Sequence, residues 1–272
     1  MQSRKISSKI GAVDFGMPTL IELSDVESAA LFAHTCGLDF VELNMNLPYL
    51  QVDTWNIAEL QKISRKYGVY YTIHLDENLD PCDFNPYIGD GYIRTIEDVI
   101  RAAKELDVHI LNMHLSRGVH FTLPDRKVYL YAEHVDRYMK RMRLFKSVCE
   151  DAIGSADIEI CVENTDGYTP FQLVALDTLL ESERFALTFD IGHNHSIGGG
   201  DEAVILARNA KLKHFHFHDA VGKKNHLALG DGEIDIGKYL EIANGNQARV
   251  VLETKTVDGI LRSIDCLNAL VD

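Results

Sequence analysis

Short β-rich runs alternate with longer stretches of helical period eight times along the chain, and this alternation constrains the fold most. The strand runs cover 9–15, 39–44, 69–74, 108–114, 158–163, 185–190, 212–218 and 249–253. The helical stretches cover 26–36, from the cap Asp53 to Tyr67, 91–106, 125–152, 170–180, 201–209, 236–243 and 257–270. Gly37 and Gly68 stop the first two helices, since glycine takes the left-handed cap without penalty. In 125–152, Val128, Tyr131, Val135, Tyr138, Met142, Phe145 and Val148 recur at helical spacing on one face. Eight strands, each followed by a helix, are the count for a single (β/α)8 TIM barrel. No linker or low-complexity segment interrupts the 272 residues, so one α/β domain over 1–272 is expected.

Composition excludes several classes. The net charge of −14 repels phosphate backbones, so a nucleic-acid partner is not expected. The one basic cluster, Lys140-Arg141-Met142-Arg143, sits in a helical pattern and reads as a solvated helix face. No run is apolar enough for a membrane span. Met1-Gln2-Ser3-Arg4-Lys5 leads into no apolar segment of the kind a secretory leader needs. Cys36, Cys82, Cys149, Cys161 and Cys266 are scattered and odd in number, which points to free thiols in a reducing cytoplasm. A homo-oligomer is left open.

The run Lys213-His214-Phe215-His216-Phe217-His218-Asp219 shows where chemistry is expected. Alternate side chains of a strand point to opposite faces, so His214, His216 and His218 share one face and the two phenylalanines the other. Other strand runs follow the same plan. They end at His74, His114, Glu163, Asp190 and Glu253, each closing an otherwise apolar stretch. Counting back by two gives Thr72, Asn112, Cys161, Thr188, His214 and Val251 as inward residues, while Ile73, Met113, Val162, Phe189, Phe217 and Leu252 suit the layer under the helices. In a barrel these polar ends converge on the C-terminal mouth, where active sites of this fold lie. Carboxylates and imidazoles gathered there are costly unless paired. A divalent cation is the economical partner, with Mn or Zn fitting the mixed donor set best and Fe, Co or Mg as alternatives. His34, His109, His120 and His134 fall off this pattern, and His195 is ambiguous. Gly198-Gly199-Gly200 lacks the spacing of a nucleotide-binding loop and reads as a turn.

Taken in order, Thr72-Ile73-His74, Asn112-Met113-His114, Val162-Glu163-Asn164-Thr165, Phe189-Asp190-Ile191-Gly192-His193, His216-Phe217-His218-Asp219, His226-Leu227-Ala228-Leu229-Gly230-Asp231-Gly232 and Leu252-Glu253-Thr254 resemble the xylose-isomerase-like TIM-barrel superfamily. That group includes sugar-phosphate isomerases and epimerases and the AP endonuclease family 2. The resemblance spans nearly the whole chain. In its epimerase branch it implies that Glu163, Asp190, His216 and Glu253 hold one divalent metal, and that the two glutamates move a substrate proton. In its endonuclease branch it implies a second metal on His74, His114 and Glu163. A third would need His193, His226 and an aspartate two residues before that histidine. Here that position is Lys224, an ammonium and no metal ligand. His193, His226, His218 and Lys224 are then expected at the substrate, Lys224 towards a phosphate or carboxylate.

The function expected is a metal-dependent isomerase or epimerase of a small sugar, sugar phosphate or related polyol. The cation would chelate neighbouring oxygens and stabilise an enediolate, with Glu163 and Glu253 as base and acid. A metallo-phosphodiesterase acting at abasic DNA is the alternative; the net charge, the acidic loop from Asp76 to Asp83 and Lys224 oppose it. A sugar dehydratase or lyase with the same metal site is a third reading.

Overall fold

The computed structural model describes residues 5–7, 10, 11 and 13–271. Eight parallel strands close into a barrel: β1 Phe15–Pro18, β2 Phe40–Asn44, β3 Tyr70–His74, β4 Ile110–His114, β5 Glu159–Glu163, β6 Phe185–Asp190, β7 Leu212–Phe217 and β8 Arg249–Leu252. Neighbouring strands pair in chain order, and β1 pairs with β8 to close the ring. Helices cover the outside, and one continuous apolar core fills the layer between. It includes Ile73, Met113, Val162, Phe189, Phe217 and Leu252, as alternation requires. Inside the barrel, Ile110, Cys161 and Ala186 form a separate small apolar floor. All five cysteines are free thiols, and four are buried. Among the described residues no helix is long and apolar enough to cross a membrane.

Several elements differ from expectation, among them the helix expected over 91–106, which begins at Pro86. The first strand is Phe15–Pro18, not 9–15; Ile10 and Val13 pack into the core as the chain approaches. Lys9 and Ala12 of the expected run, and the opening Met1-Gln2-Ser3-Arg4, lie outside the described residues. Asp53 is not a helix cap. It lies in a 3-10 turn, and Asn56 caps Ile57–Tyr67 by accepting from the Glu59 amide at 3.2 Å. The long helix over 125–152 is broken. Lys127–Tyr129 pairs antiparallel with His120–Thr122, a turn of helix follows over Leu130–Glu133, and the main helix is Val135–Ile153. Cross-strand pairing wins over a helical period that only the later part of the segment uses. Finally, the loop after β6 begins with a short helix, Ile191–Ser196, and Asp219–Val221 turns into a hairpin with Lys224–Leu227.

One irregularity sets the site. Between β6 and β7 the register advances from Leu187↔Leu212 to Thr188↔His214. Lys213 is therefore an extra residue, a bulge. Leu212 joins the outer core, while His214, two residues on, reaches Glu42 in the interior.

Candidate metal centre and active site

Above the apolar floor, the interior residues turn polar in layers. Asn112 on β4 accepts from Thr188 Oγ1 at 2.6 Å and donates to Glu163 Oε2. Glu42 Oε2 accepts from Thr72 Oγ1 at 2.9 Å and from His214 Nε2 at 3.0 Å. The next layer is the mouth. There His216 Nδ1 lies 3.2 Å from Glu253 Oε2, 3.3 Å from Glu163 Oε1 and 3.9 Å from Asp190 Oδ2. One donor atom from each of these four residues lies within 4.8 Å of every other. Their places follow from register: Glu163 ends β5, Asp190 ends β6 opposite His216 on β7, and Glu253 follows β8.

The group fits a divalent ion. Metal–ligand bonds of about 2.0–2.2 Å set neighbouring ligand atoms roughly 3–3.5 Å apart, and the His216 contacts cluster at that spacing. Glu253 Oε2 and both His216 nitrogens are buried without an aligned hydrogen bond. Asp190 is aimed inward by other partners: its Oδ1 accepts from the His193 amide at 2.6 Å, and its Oδ2 from His218 Nε2 at 3.0 Å. The electrostatics ask for positive charge. Burial would raise the pKa of Glu163 and Glu253, but His216 together with His114 at Glu163, and His216 together with Lys255 at Glu253, outweigh it and hold both well below the usual carboxylate range. Burial likewise pushes His216 down, and the charges of Glu163, Glu42 and Glu253 draw it well above the ordinary imidazole value.

His74 and His114 both reach Glu163 Oε2, at 3.5 Å and 3.2 Å. His74 Nδ1 meets the Leu75 carbonyl at 2.8 Å, so its proton sits there and Nε2 faces the carboxylate. Burial lowers the His74 pKa, yet the hydrogen bond to Glu163 and the charges of Glu163 and Glu42 together carry it to about 9, so without a metal Nε2 also holds a proton against the carboxylate. His74 groups with Glu163 and His216 as a further set of converging donors, and His114 is not a member of that set.

A cavity of about 490 Å3 opens over this layer, within the range of small-ligand sites. His193 and His226 line it. The His226 pKa falls to about 4 through burial and the neighbouring His218, leaving a neutral imidazole at the wall. Its backbone is left-handed, φ 56°, a strained conformation for a non-glycine residue. Its amide donates to His218 Nδ1 at 2.8 Å.

Two residues expected at the substrate stand elsewhere. His218 is fully buried and does not line the cavity. Its Nδ1 accepts the His226 amide and its Nε2–H faces Asp190, so the ring supports Asp190. Lys224 is exposed on the hairpin strand and is also absent from the wall, because the hairpin turns its side chain to solvent. The cations that line the cavity are Arg117 and Lys255, and the Lys255 Nζ lies 2.7 Å from Glu253 Oε1. Three partners went unpredicted: Lys255, Asn164 and Glu42. Lys255 sits two residues past Glu253, a position the alternation rule reaches if carried beyond the strand. Glu42 is an acid in the apolar run Phe40–Asn44, the same signal that marks Glu163. Asn164 gives no such signal, being out of phase with the inward positions.

A closed (β/α)8 barrel with acids and imidazoles at its C-terminal mouth defines the class. The family profile described as the xylose isomerase-like TIM barrel matches residues 31–270, and the chain belongs to that family. An uncharacterised protein of Methanocaldococcus jannaschii is 25% identical over 229 residues, covering 80% of this chain and 75% of that protein. Among solved structures, a D-tagatose 3-epimerase-like protein superposes with a TM-score of 0.76 at 23% identity, covering 94% of this chain and 96% of that one. The IolI protein with a bound zinc atom gives 0.74 at 12% identity, covering 96% and 99%. The 3-keto-D-glucoside 4-epimerase of E. coli gives 0.73 at 15% identity, covering 95% and 98%. At these identities the likeness is one of fold.

Proposed function

We propose that the protein is a divalent-metal-dependent isomerase or epimerase acting on a small sugar, sugar phosphate or related polyol. The observation that carries this is the pair Glu163 and Glu253, which approach His216 Nδ1 at 3.3 Å and 3.2 Å and both line the cavity. Two carboxylates flanking one point suit the removal of a carbon-bound proton by one and its return by the other. Glu163, Asp190, His216 and Glu253 would hold the ion, which when bound polarises a substrate carbonyl and stabilises negative charge on its oxygen. Lys255 holds Glu253 through Oε1, leaving Oε2 towards the centre. The neutral His226 ring offers hydrogen bonds to a hydroxyl. The names of the structural neighbours, a D-tagatose 3-epimerase-like protein and a 3-keto-D-glucoside 4-epimerase, support a carbohydrate substrate. The bound zinc of IolI supports a metal of the Mn or Zn kind. The same reading takes 1–272 as one barrel domain working in the cytoplasm.

The test is proton exchange. The protein with Mn or Zn, incubated with a panel of ketoses in D2O, is expected to place deuterium on one substrate carbon, as read by NMR. Glu163→Gln should abolish exchange while the thermal unfolding midpoint stays within a few degrees. Exchange at the wild-type rate in that variant would remove Glu163 from the chemistry.

A metallo-phosphodiesterase acting at abasic DNA is the second reading, favoured by His74 and His114 together on Glu163 Oε2. Against it stand the net charge of −14 and the acids Glu77 and Asp166 on the cavity wall. Metal-dependent incision of an abasic duplex would establish it over the first.

A further inference from the structure

We infer that Glu42, buried beneath the mouth, is a positioning residue that sets the tautomer of His216, so that Nδ1 presents a lone pair to the point shared by Glu163, Asp190 and Glu253. The inference rests on the metal reading of that point. A neutral imidazole carries one proton on two nitrogens, and the partner of one nitrogen decides which is free to ligate. His216 Nδ1 faces three carboxylates, and Nε2 lies 3.0 Å from Glu42 Oε1. The proton therefore belongs on Nε2, against Glu42.

Glu42 is built for this place. It comes from β2 and reaches across the interior to β7, with 1% of its surface exposed. Its Oε2 is occupied by two donors, Thr72 Oγ1 and His214 Nε2. Those bonds fix the carboxylate plane and turn Oε1 to His216. Oε1 has no aligned hydrogen bond, and neither has His216 Nε2. The two unsatisfied groups face each other, and a small ring rotation would align them as ligation engages Nδ1. Glu42, His214 and His216 also form a set of converging donors. With Oε2 already accepting two hydrogen bonds, the set is a hydrogen-bonded support and not a second ion site.

The test compares wild-type protein with Glu42→Gln, full chain in both cases. Zinc affinity is measured by calorimetry, zinc content per chain by elemental analysis, and the His216 tautomer by long-range 1H–15N NMR of metal-free protein held at a pH alkaline enough for the ring to be neutral, assigned by its loss in His216→Asn. Glutamine keeps the volume but can turn an N–H towards Nε2, which would drive the proton to Nδ1. The expected result is Nε2–H in the wild type, a shift towards Nδ1–H in Glu42→Gln, and zinc binding weakened about 10–100-fold, with the metal-free unfolding midpoint little changed. Wild-type zinc affinity in Glu42→Gln, or loss of one of two bound ions per chain, would overturn the inference. If Glu42→Gln does not fold, the wild-type tautomer decides, and a proton on Nδ1 overturns it. Failure of the wild type to bind any divalent ion would instead sink the metal reading, and the tautomer comparison would still judge Glu42.

Discussion

Asn164 shows how much of the site is held by a residue that performs no chemistry. It is fully buried after β5 and bridges to β6, donating from Nδ2 to the Asp190 carbonyl and accepting the Asp190 amide at Oδ1, both at 2.9 Å. Asp190 is the last residue of its strand, where the backbone would otherwise leave the ladder unpaired. Asn164→Ala strands two buried backbone groups, each costing about 1–3 kcal/mol when unsatisfied. A loss of ~2–6 kcal/mol in urea unfolding is expected. An unchanged midpoint would show that Asp190 is anchored by other means.

At the scale of elements, two glycines separate backbone need from packing need. Gly68 ends Ile57–Tyr67 at φ 66° with nothing near its missing Cβ. Gly68→Ala is therefore expected to cost about 1–2 kcal/mol through the left-handed conformation alone, with metal binding unchanged. Gly192 opens the short helix Ile191–Ser196 with no such backbone demand. A Cβ there would run into the His218 ring, which is itself held against Asp190. Gly192→Ala should cost about 1–3 kcal/mol by overpacking and should also weaken zinc or manganese binding, as read by calorimetry. Full metal affinity in Gly192→Ala would mean that the helix shifts without moving Asp190.

For the whole molecule, the central fact is that Glu42, Glu163, Asp190 and Glu253 are carboxylates no more than 7% exposed, gathered at one end of one barrel. An ion that binds only the folded state stabilises it by mass action, ~2.7 kcal/mol at one hundred times Kd. For chains of roughly this size each kcal/mol moves Tm by about 2–4 °C. Manganese or zinc at that excess is thus expected to raise Tm by ~5–10 °C, and a chelator should reverse the rise. No shift with any divalent ion, followed by differential scanning fluorimetry, would refute the metal centre.

Much of this architecture was legible in one dimension. Periods of two and of about 3.6 residues report which face an element buries, so a strand such as 185–190 could be read to the residue and the helix over 257–270 to within one. The same alternation marks Glu163, Asp190, His216 and Glu253 as inward residues at strand ends, and barrel closure carries such positions to one mouth. Local pattern did not disclose what a side chain meets across space. The hairpin over 120–129 was hidden because its strands are stabilised by each other, not by their own propensity. The resemblance leads to His218 and Lys224 as substrate contacts, yet His218 is fully buried against Asp190 and Lys224 is exposed on the hairpin that follows β7. Glu42 shows the limit most plainly: its polarity within an apolar strand is visible in the chain, but that it meets His214 and His216, more than 170 residues away, is decided by ring closure and the bulge at Lys213.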